Sequence, residues 1–231
     1  MNFAIILSGG IGSRMNCKNM PKQYISVAGK PIIMHTLEVF EKCEHIKKIV
    51  IVAAEEWQED IMKWSSISNI KKIQGFALPG KSRQESILNG LKACMKLGVD
   101  DSDNVVIHDA VRPLVECNLI EGCIIGLNGY DACMPVVAIN DTVYYSENGE
   151  NITSLLDRSK LFAGQSPEAF NLKKYYAIHD PFDSEGLEKI RGSSEIAFNS
   201  GLSIRIIDGD YRNFKITTQA DLERYKRIMG E

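Results

Sequence analysis

The residues with the clearest chemical potential form a glycine-rich segment near the start of the chain. Leu7-Ser8-Gly9-Gly10-Ile11-Gly12-Ser13-Arg14 directly follows an apolar run at residues 3–7. Because glycine has no Cβ, the backbone N–H groups of such a loop can approach an anion closely. The segment differs from the dinucleotide-binding fingerprint, since Arg14 stands in place of the third glycine. An arginine there can direct paired donors at phosphate oxygens.

The segment Pro21-Lys22-Gln23 begins seven residues after Arg14 and supplies another positive charge. A lysine held after a proline, close to the glycine loop, suits a triphosphate whose β and γ phosphates leave during the reaction. The glycine loop, Arg14 and Lys22 together predict a phosphate-binding site. The alternative is an ordinary turn that carries two solvated cations.

A carboxylate at the end of an apolar run is the third candidate. Asp109 follows residues 104–108, which have the pattern of a buried strand. A charge in that setting is unfavourable unless it binds something, so Asp109 is predicted to contact a substrate hydroxyl, a ribose or Mg²⁺. Arg112 lies just before Pro113 and is predicted to have a structural or a substrate-side role.

Strands alternating with helices must position these residues. The predicted strands are 3–7, 49–53, 72–76, 104–108, 131–139 and 202–207, and the predicted helices are 31–43, 55–65, 82–97, 118–127, 172–179, 193–199 and 218–229. Ser82 and Glu85 predict a capping box at the start of the third helix. The alternation predicts an α/β fold, a mostly parallel, doubly wound sheet in one domain spanning residues 1–231. Ligands of such sheets bind beyond the carboxyl ends of the strands, where each of these motifs lies.

Residues 141–156 differ from this alternation and predict a β-hairpin. The β-favouring run Thr142-Val143-Tyr144-Tyr145 is followed by Asn148-Gly149, a strong turn signal, and by Ile152-Thr153-Ser154-Leu155-Leu156 as the return strand. The hairpin has apolar side chains but little obvious core to cover. Packing on a partner subunit and packing on its own domain are therefore both open.

Composition places the chain among ordinary globular proteins. Charged residues make up 25%, the net charge is −3, and the basic residues are dispersed, so nucleic acid and membrane surfaces are not expected as partners. No apolar stretch approaches the roughly 20 residues of a membrane span, and a cytoplasmic protein is expected. The six cysteines show no metal-ligand spacing and are expected to be reduced thiols.

Beyond these patterns, six ordered motifs resemble those of the cytidylyltransferases that make CDP-methylerythritol or CDP-ribitol. The motifs are the glycine loop with Pro21-Lys22-Gln23-Tyr24, Gly80-Lys81-Ser82-Arg83-Gln84-Glu85-Ser86, His108-Asp109-Ala110-Val111-Arg112-Pro113, Asp141-Thr142-Val143, Arg158 with Gln165-Ser166-Pro167, and Asn213-Phe214-Lys215-Ile216-Thr217. The resemblance spans nearly the whole chain and implies a Rossmann-like nucleotidyltransferase sheet. It also implies a reaction in which a phosphate monoester attacks the α-phosphorus of CTP and expels pyrophosphate.

The resemblance also implies the role of each matching residue. Arg14, Lys22 and Lys215 would neutralise charge as catalytic residues, and Asp109 is a possible Mg²⁺ ligand. The nucleotide would be bound by Leu7, Ser8, Gly9, Gly10, Gly12, Ser13, Gly80, Arg83, Ser86, Asp109 and Ala110. The acceptor would be bound by Asp109, Arg112, Arg158, Ser166 and Lys215. For Ser86, support of its own helix is the competing role.

The hairpin resembles the dimerisation arm of that family, which implies a homodimer with residues 140–157 as the arm. Arg158 would then bind the acceptor phosphate, either in the site of its own subunit or in that of the partner subunit.

The identity of the acceptor is the most open point. The methylerythritol enzymes usually carry Thr-Asp where this chain has Arg191-Gly192-Ser193-Ser194-Glu195, and Ser194 or Glu195 is a candidate replacement. Other details, such as Ser8-Gly9-Gly10, resemble the ribitol-phosphate branch, so D-ribitol 5-phosphate is favoured over 2-C-methyl-D-erythritol 4-phosphate. A nucleotide-binding protein without activity is the non-enzyme alternative. A dinucleotide-dependent oxidoreductase is disfavoured by Arg14.

Overall fold

The computed structural model describes residues 1–10 and 20–231, so the predicted site residues Gly12, Ser13 and Arg14 lie outside the described residues. The strands are β1 (Asn2–Leu7), β2 (Ser26–Val27), β3 (Lys30–Pro31), β4 (Lys48–Val52), β5 (Ile73–Ala77), β6 (Asn104–Asp109), β7 (Ala132–Ala138), β8 (Val143–Tyr145), β9 (Ser154–Leu156), β10 (Phe162–Gly164), β11 (Glu168–Asn171) and β12 (Ile204–Asp208). The helices are α1 (Ile32–Lys42), α2 (Glu55–Ile67), α3 (Arg83–Lys96), α4 (Cys117–Ile125), α5 (Leu172–His179), α6 (Ser184–Glu188), α7 (Ser193–Asn199) and α8 (Gln219–Ile228).

The main sheet is mostly parallel. Its centre is β6-β1-β4-β5, in which each neighbouring pair is parallel. On the other side of β6, β11 runs antiparallel and pairs with the start of β7. β10 pairs antiparallel with the end of β7, and β12 pairs parallel with the opposite edge of β7.

Helices cover both faces of this sheet, as β1 shows residue by residue. Ala4 and Ile6 pack in one core cluster with residues of α1, α2 and α4, whereas Phe3 and Ile5 pack in another with residues of α3, α5 and α7. Successive side chains of a strand point to opposite faces, so a continuously apolar strand is buried on both. The predicted α/β fold is confirmed.

The segment after β7 also contains structure that the sequence patterns did not indicate. β10, β11 and α6 have no counterpart among the predicted elements. They are three to five residues long, too short to show a periodicity. β11 is an antiparallel strand inserted between the parallel strands β6 and β7. Its first residue, Glu168, lies one residue after Pro167 and reaches the functional site.

The predicted hairpin is present as β8 and β9, which pair only with each other among the described strands. Tyr144, Tyr145, Leu155 and Leu156 are all exposed. The hairpin therefore does not bury its apolar side chains against the domain that carries it. None of the helices that the structure describes is long and apolar enough to cross a membrane.

Candidate active site

A cavity of about 650 Å³ opens at the carboxyl ends of β1 and β6. Parallel pairing places Leu7 beside Asp109 at this edge of the sheet. The cavity is lined by Leu7, Ser8, Gly9, Gly10, Lys22, Gln23, Gly80, Lys81, Ser82, Arg83, Ser86, Asp109, Val111 and Lys215. Four motifs that are far apart in the sequence thus meet at one place.

Gln23 holds the described part of the glycine loop in position. Its side-chain amide is buried and donates to the carbonyl oxygens of Ser8 at 2.6 Å and Gly10 at 2.9 Å. Tyr24 adds a hydrogen bond between its hydroxyl and that of Ser8. These bonds tie the loop to the short 3₁₀ turn Lys22–Tyr24, which begins just after Pro21 and brings Lys22 to the cavity. The role of Gln23 was not predicted from its sequence motif.

The two described glycines of the loop serve different purposes. A Cβ on Gly9 would lie 2.5 Å from the Cβ of Pro79, so glycine is required here for packing against the loop after β5. A Cβ on Gly10 would meet nothing within 4 Å. Both glycines line the cavity, and the close approach of a ligand to each of them stays a prediction.

The segment from Gly80 to Ser86 forms the opposite wall, at the start of α3. Ser82 caps the helix by accepting from the N–H of Glu85, but the Glu85 carboxylate accepts from the N–H of Lys81, so the predicted capping box is only half formed. The Ser86 hydroxyl accepts from the N–H of Gly80 and donates to the carbonyl of Ser82. The helix-supporting role of Ser86 is thus present, and the same residue lines the cavity.

Asp109 is the electrostatic centre of the site. One carboxylate oxygen lies 3.6 Å from Nε of Arg83, and the other lies 3.1 Å from Nζ of Lys215 and 3.6 Å from Nε of Arg112. Burial alone would raise the pKa of Asp109, but the three nearby cations outweigh it and hold this pKa far below its ordinary range. The carboxylate is therefore ionised throughout the physiological range.

Lys215 and Arg112 are held in place by their own backbone surroundings. The N–H of Ile216, a buried residue, donates to the carbonyl of Val111, which brings Lys215 alongside the loop after β6. Arg112 donates from Nη1 to the carbonyl of Asn213 at 2.6 Å. Arg112 thus has the structural role, since it ties two loops together, and its substrate-side role stays a prediction.

Ser166, which was predicted for the acceptor side, is buried next to Asp109. Its hydroxyl accepts from the N–H of Asp109 and lies 3.2 Å from Nδ1 of His108, whose Nε2 lies 3.2 Å from the carbonyl of Arg112. Burial lowers the pKa of His108 to about 3, so the imidazole is neutral. Its Nε2–H donates to the Arg112 carbonyl, and its Nδ1 accepts the Ser166 proton.

Arg83 has contacts that its motif did not indicate. Its guanidinium is 3.1 Å from Glu168 and is hydrogen-bonded to Ser193. Ser193 belongs to the stretch 191–195, where the family's Thr-Asp is missing. The structure brings Ser193 to the site, whereas Glu195 accepts from the N–H of Arg191 at the start of α7. We had named Ser194 and Glu195 as replacements, and neither Ser193 nor Glu168 was singled out.

Four of the described residues that were predicted for the site do not line the cavity, namely Ala110, Arg112, Arg158 and Ser166. Arg158 is exposed beside the hairpin, donates to the carbonyl of Asn140, and is not among the residues that line the cavity. The backbone groups of Ala110 bond within the protein, its N–H to the carbonyl of Leu7 and its carbonyl to the Thr36 hydroxyl. Their predicted binding roles stay predictions.

The described residues do not form a cage for Mg²⁺. No group of three or more His, Cys, Asp or Glu side chains suitable for a metal ion occurs among them. Both oxygens of Asp109 already face cations. Mg²⁺ in nucleotide sites is usually held by one or two carboxylates together with substrate phosphates and water, so the metal role of Asp109 stays a prediction.

Comparisons with known proteins identify the family of the chain. A family model described as 2-C-methyl-D-erythritol 4-phosphate cytidylyltransferase matches residues 2–231. The ribitol-5-phosphate cytidylyltransferase of Streptococcus agalactiae serotype Ia is 32% identical over 228 residues, which are 99% of this chain and 95% of that protein.

Solved structures show the same architecture. The 4-diphosphocytidyl-2C-methyl-D-erythritol synthase of Anaerococcus prevotii is similar with a TM-score of 0.81 and 26% identity, covering 100% of this chain and 96% of that one. The 2-C-methyl-D-erythritol 4-phosphate cytidylyltransferase of Francisella tularensis is similar with a TM-score of 0.79 and 26% identity, covering 99% of each chain.

Proposed function

The chain belongs to the 2-C-methyl-D-erythritol 4-phosphate cytidylyltransferase family, and we propose that it transfers CMP from CTP to D-ribitol 5-phosphate, giving CDP-ribitol and pyrophosphate. It is a CTP-dependent cytidylyltransferase and thus an enzyme, which excludes the alternative of an inactive nucleotide-binding protein.

One observation carries the choice of ribitol phosphate. The chain is 32% identical to a ribitol-5-phosphate cytidylyltransferase over 95% of that protein's length, and 26% identical to the solved methylerythritol enzymes of similar coverage. The details of the glycine loop that favoured the ribitol branch in the sequence point the same way. Methylerythritol 4-phosphate is the second candidate, because the family model carries its name.

The reaction is an in-line displacement at the α-phosphorus of CTP. An oxygen of the acceptor phosphate forms the new P–O bond, the bond between the α and β phosphates breaks, and the electron pair leaves with pyrophosphate. A phosphate monoester is largely dianionic at neutral pH, since its second pKa is about 6, and needs no general base. The main barrier is the electrostatic repulsion between the two anionic substrates, so catalysis comes from positioning and charge neutralisation.

The cations around the cavity support this chemistry. We propose that Lys22 and Arg14 neutralise the triphosphate at the glycine loop, with the N–H groups of the loop as further donors. Lys215 and Arg112 lie on the other side, with Asp109 between them. Asp109 would hold both side chains in position. They would then bind the acceptor phosphate and stabilise the negative charge that develops at the α-phosphorus.

We further propose that the nucleotide lies along Leu7, Ser8, Gly10 and the wall from Gly80 to Ser86. Ser166 would contact an acceptor hydroxyl. Its proton is directed to His108, so it presents a lone pair and accepts a hydrogen bond from that hydroxyl.

Arg158 and the hairpin belong to the proposed homodimer. The apolar side chains of the hairpin are exposed in the single chain, which supports a role for residues 140–157 as the dimerisation arm. Arg158 follows that arm directly. We propose that it grips the acceptor phosphate in the site of one subunit or its partner.

We propose that Mg²⁺ accompanies CTP and takes its ligands from phosphate oxygens and water, since the described residues offer it no cage. A cytoplasmic location is also proposed. The five cysteines that the structure describes are free thiols, which is typical of reducing compartments.

The decisive experiment measures pyrophosphate release from CTP and Mg²⁺ with a panel of acceptors. The panel contains ribitol 5-phosphate, methylerythritol 4-phosphate and glycerol phosphates, with ATP, GTP and UTP as nucleotide controls. We expect the highest kcat/KM with CTP and ribitol 5-phosphate. A higher kcat/KM with methylerythritol 4-phosphate would assign that acceptor instead. If no acceptor supports pyrophosphate release, the proposed reaction is refuted.

A further inference from the structure

Arg83 is held from behind by two side chains that do not line the cavity. Its Nη2 lies 3.1 Å from Glu168, its Nη1 is hydrogen-bonded to the Ser193 hydroxyl, and that hydroxyl donates to the same oxygen of Glu168 at 2.6 Å. Arg83 and Asp109 line the cavity, whereas Glu168 and Ser193 lie behind them. The guanidinium is thereby fixed on one side and presents its remaining edge beside Asp109.

This arrangement depends on three separate elements. Arg83 is the first residue of α3, Glu168 is the first residue of β11, and Ser193 is the first residue of α7. The start of α7 is itself anchored, because the buried Tyr175 of α5 donates its hydroxyl to the carbonyl of Ser193 at 3.1 Å. The position of Arg83 is therefore set by tertiary packing as well as by its own helix.

The charge around Arg83 differs from that around the other cations of the site. Two carboxylates, Asp109 and Glu168, face this one guanidinium. An arginine balanced in this way has little net attraction for a phosphate. Its N–H donors and the neighbouring Asp109 oxygens form instead an alternating set of donors and acceptors. A hydroxyl group, which both donates and accepts, is the ligand that such a set suits.

We propose that Glu168 and Ser193 are positioning residues that hold Arg83 against Asp109, so that Arg83 binds hydroxyl groups of the polyol acceptor. This inference rests on the proposed function and assigns Arg83 to the acceptor, whereas the family resemblance implied the nucleotide. It also gives Ser193 the place in the acceptor site for which the sequence offered Ser194 or Glu195.

The first test compares Glu168→Gln and Ser193→Ala with the wild-type protein. Glu168→Gln keeps the shape of the side chain but loses the charge that Arg83 faces. We expect KM for the polyol phosphate to rise roughly tenfold or more, as for loss of a charged hydrogen bond. The Kd of CTP, measured by calorimetry without acceptor, should stay within about twofold. If the two residues had only a structural role, the active fraction and hence kcat would fall, and KM for the acceptor would not rise relative to the Kd of CTP.

One control residue lies on α7 next to Ser193, and a second lies on α6. Ser194→Ala removes the neighbouring hydroxyl of α7, and Glu188→Gln removes an exposed carboxylate of α6. Neither should change KM for the acceptor. Circular dichroism and thermal unfolding of every variant check that it is folded.

The second test asks whether Glu168 acts through Arg83. In a double-mutant cycle with Arg83→Gln, the Glu168→Gln substitution should have no further effect on KM for the acceptor. Additive effects would show that Glu168 acts by another route and would overturn the positioning role.

The outcomes separate this inference from the proposed function. If the wild-type protein turns over a polyol phosphate and the variants leave its KM unchanged, or raise the Kd of CTP equally, the inference is wrong and the function stands. If the wild-type protein turns over no polyol phosphate, the proposed function fails and the inference fails with it.

Discussion

Lys22 and Lys215 reach one cavity from opposite parts of the chain, and their surroundings differ. The Lys215 ammonium lies 3.1 Å from Asp109, which offsets part of its charge. Lys22 precedes Gln23, whose amide is bonded to Ser8 and Gly10 of the glycine loop. The position of Lys22 is therefore coupled to the loop that is proposed to hold the triphosphate.

Replacing Lys22 tests the charge-neutralisation chemistry directly. We expect Lys22→Ala to lower kcat by roughly 10²-fold or more, as for the loss of a preorganised charge in a transition state. Steady-state pyrophosphate release measures the effect, and Lys47→Ala, which removes an exposed lysine elsewhere, is the control. An unchanged kcat in Lys22→Ala would exclude Lys22 from the mechanism.

At the scale of single residues, the sequence predicted most of the cavity and missed the contacts that organise it. Lys22, Asp109 and Lys215 could be predicted, because each combines a reactive type with a recognisable neighbourhood. Glu168 and Ser193 could not, because they are 85 and 110 residues from Arg83 in the sequence. Glu168 also belongs to a strand too short to show a pattern. Only the tertiary fold makes them neighbours of one guanidinium.

At the scale of elements, α5 carries a buried histidine at its C-terminal end. The Nδ1 of His179 lies 2.8 Å from the carbonyl oxygen of Tyr175, and its Nε2 lies 3.2 Å from the side-chain oxygen of Gln84. Burial lowers the pKa of His179 from 6.5 to about 4. The imidazole is thus neutral in the folded protein at pH values where it is protonated in the unfolded chain.

This difference predicts a pH dependence of stability. Between pH 6.5 and 4 the unfolded chain binds the His179 proton and the folded protein does not, so stability falls as the pH falls through this window. The contribution of His179 to the free energy of unfolding is fully present above pH 6.5 and is lost towards pH 4. Its upper bound is about 3 kcal/mol.

Urea unfolding at several pH values tests this prediction. In His179→Leu, the free energy of unfolding should decrease less steeply between pH 6.5 and 4 than in the wild-type protein. His45→Leu is the control, since His45 is exposed. Parallel curves for His179→Leu and the wild-type protein would contradict the prediction.

The longer elements could be predicted because each carries its own signal. β1, β4 and β6 are continuous apolar runs, and α3 has a capping serine and an apolar face. Their bounds differ from the predicted ones by a residue or two. β11 has no such signal, because its sequence of Glu168 to Asn171 contains only two apolar residues. Its pairing with β6 and β7 is a property of the assembled sheet.

At the scale of the whole molecule, the net charge and the charge of the site have opposite signs. The chain carries a formal charge of −3, yet Lys22, Lys81, Arg83 and Lys215 line a cavity with Asp109 as its acidic residue. With four cations against one carboxylate, the described lining has a net positive charge, and such a cavity attracts anions. The distribution of charge therefore favours two anionic substrates without favouring a polyanionic surface such as nucleic acid.

The hairpin is the other feature that concerns the whole molecule. Tyr144 and Leu155 are paired across β8 and β9, and they are 55% and 68% exposed. An isolated two-stranded hairpin is marginally stable in water. A hairpin that is apolar, exposed and still regular is best explained by a partner that covers it, and a second copy of the chain is the partner proposed above.

Removing the arm tests this assembly. Deletion of residues 144–152 should convert the proposed dimer to a monomer, because the apolar surface that joins the subunits is lost. A milder variant, Tyr144→Ser with Leu155→Ser, should weaken the dimer without shortening the chain. Ile67→Ser is the control, since Ile67 on α2 is 84% exposed and lies away from the hairpin. Sedimentation velocity over a range of concentrations measures the mass of each variant.

If the deletion variant still sediments as a dimer, residues 140–157 are not the dimerisation arm, and an acceptor-binding role for Arg158 across subunits loses its basis. If the deletion variant is a monomer that still binds CTP but has lost turnover, the active site requires both chains.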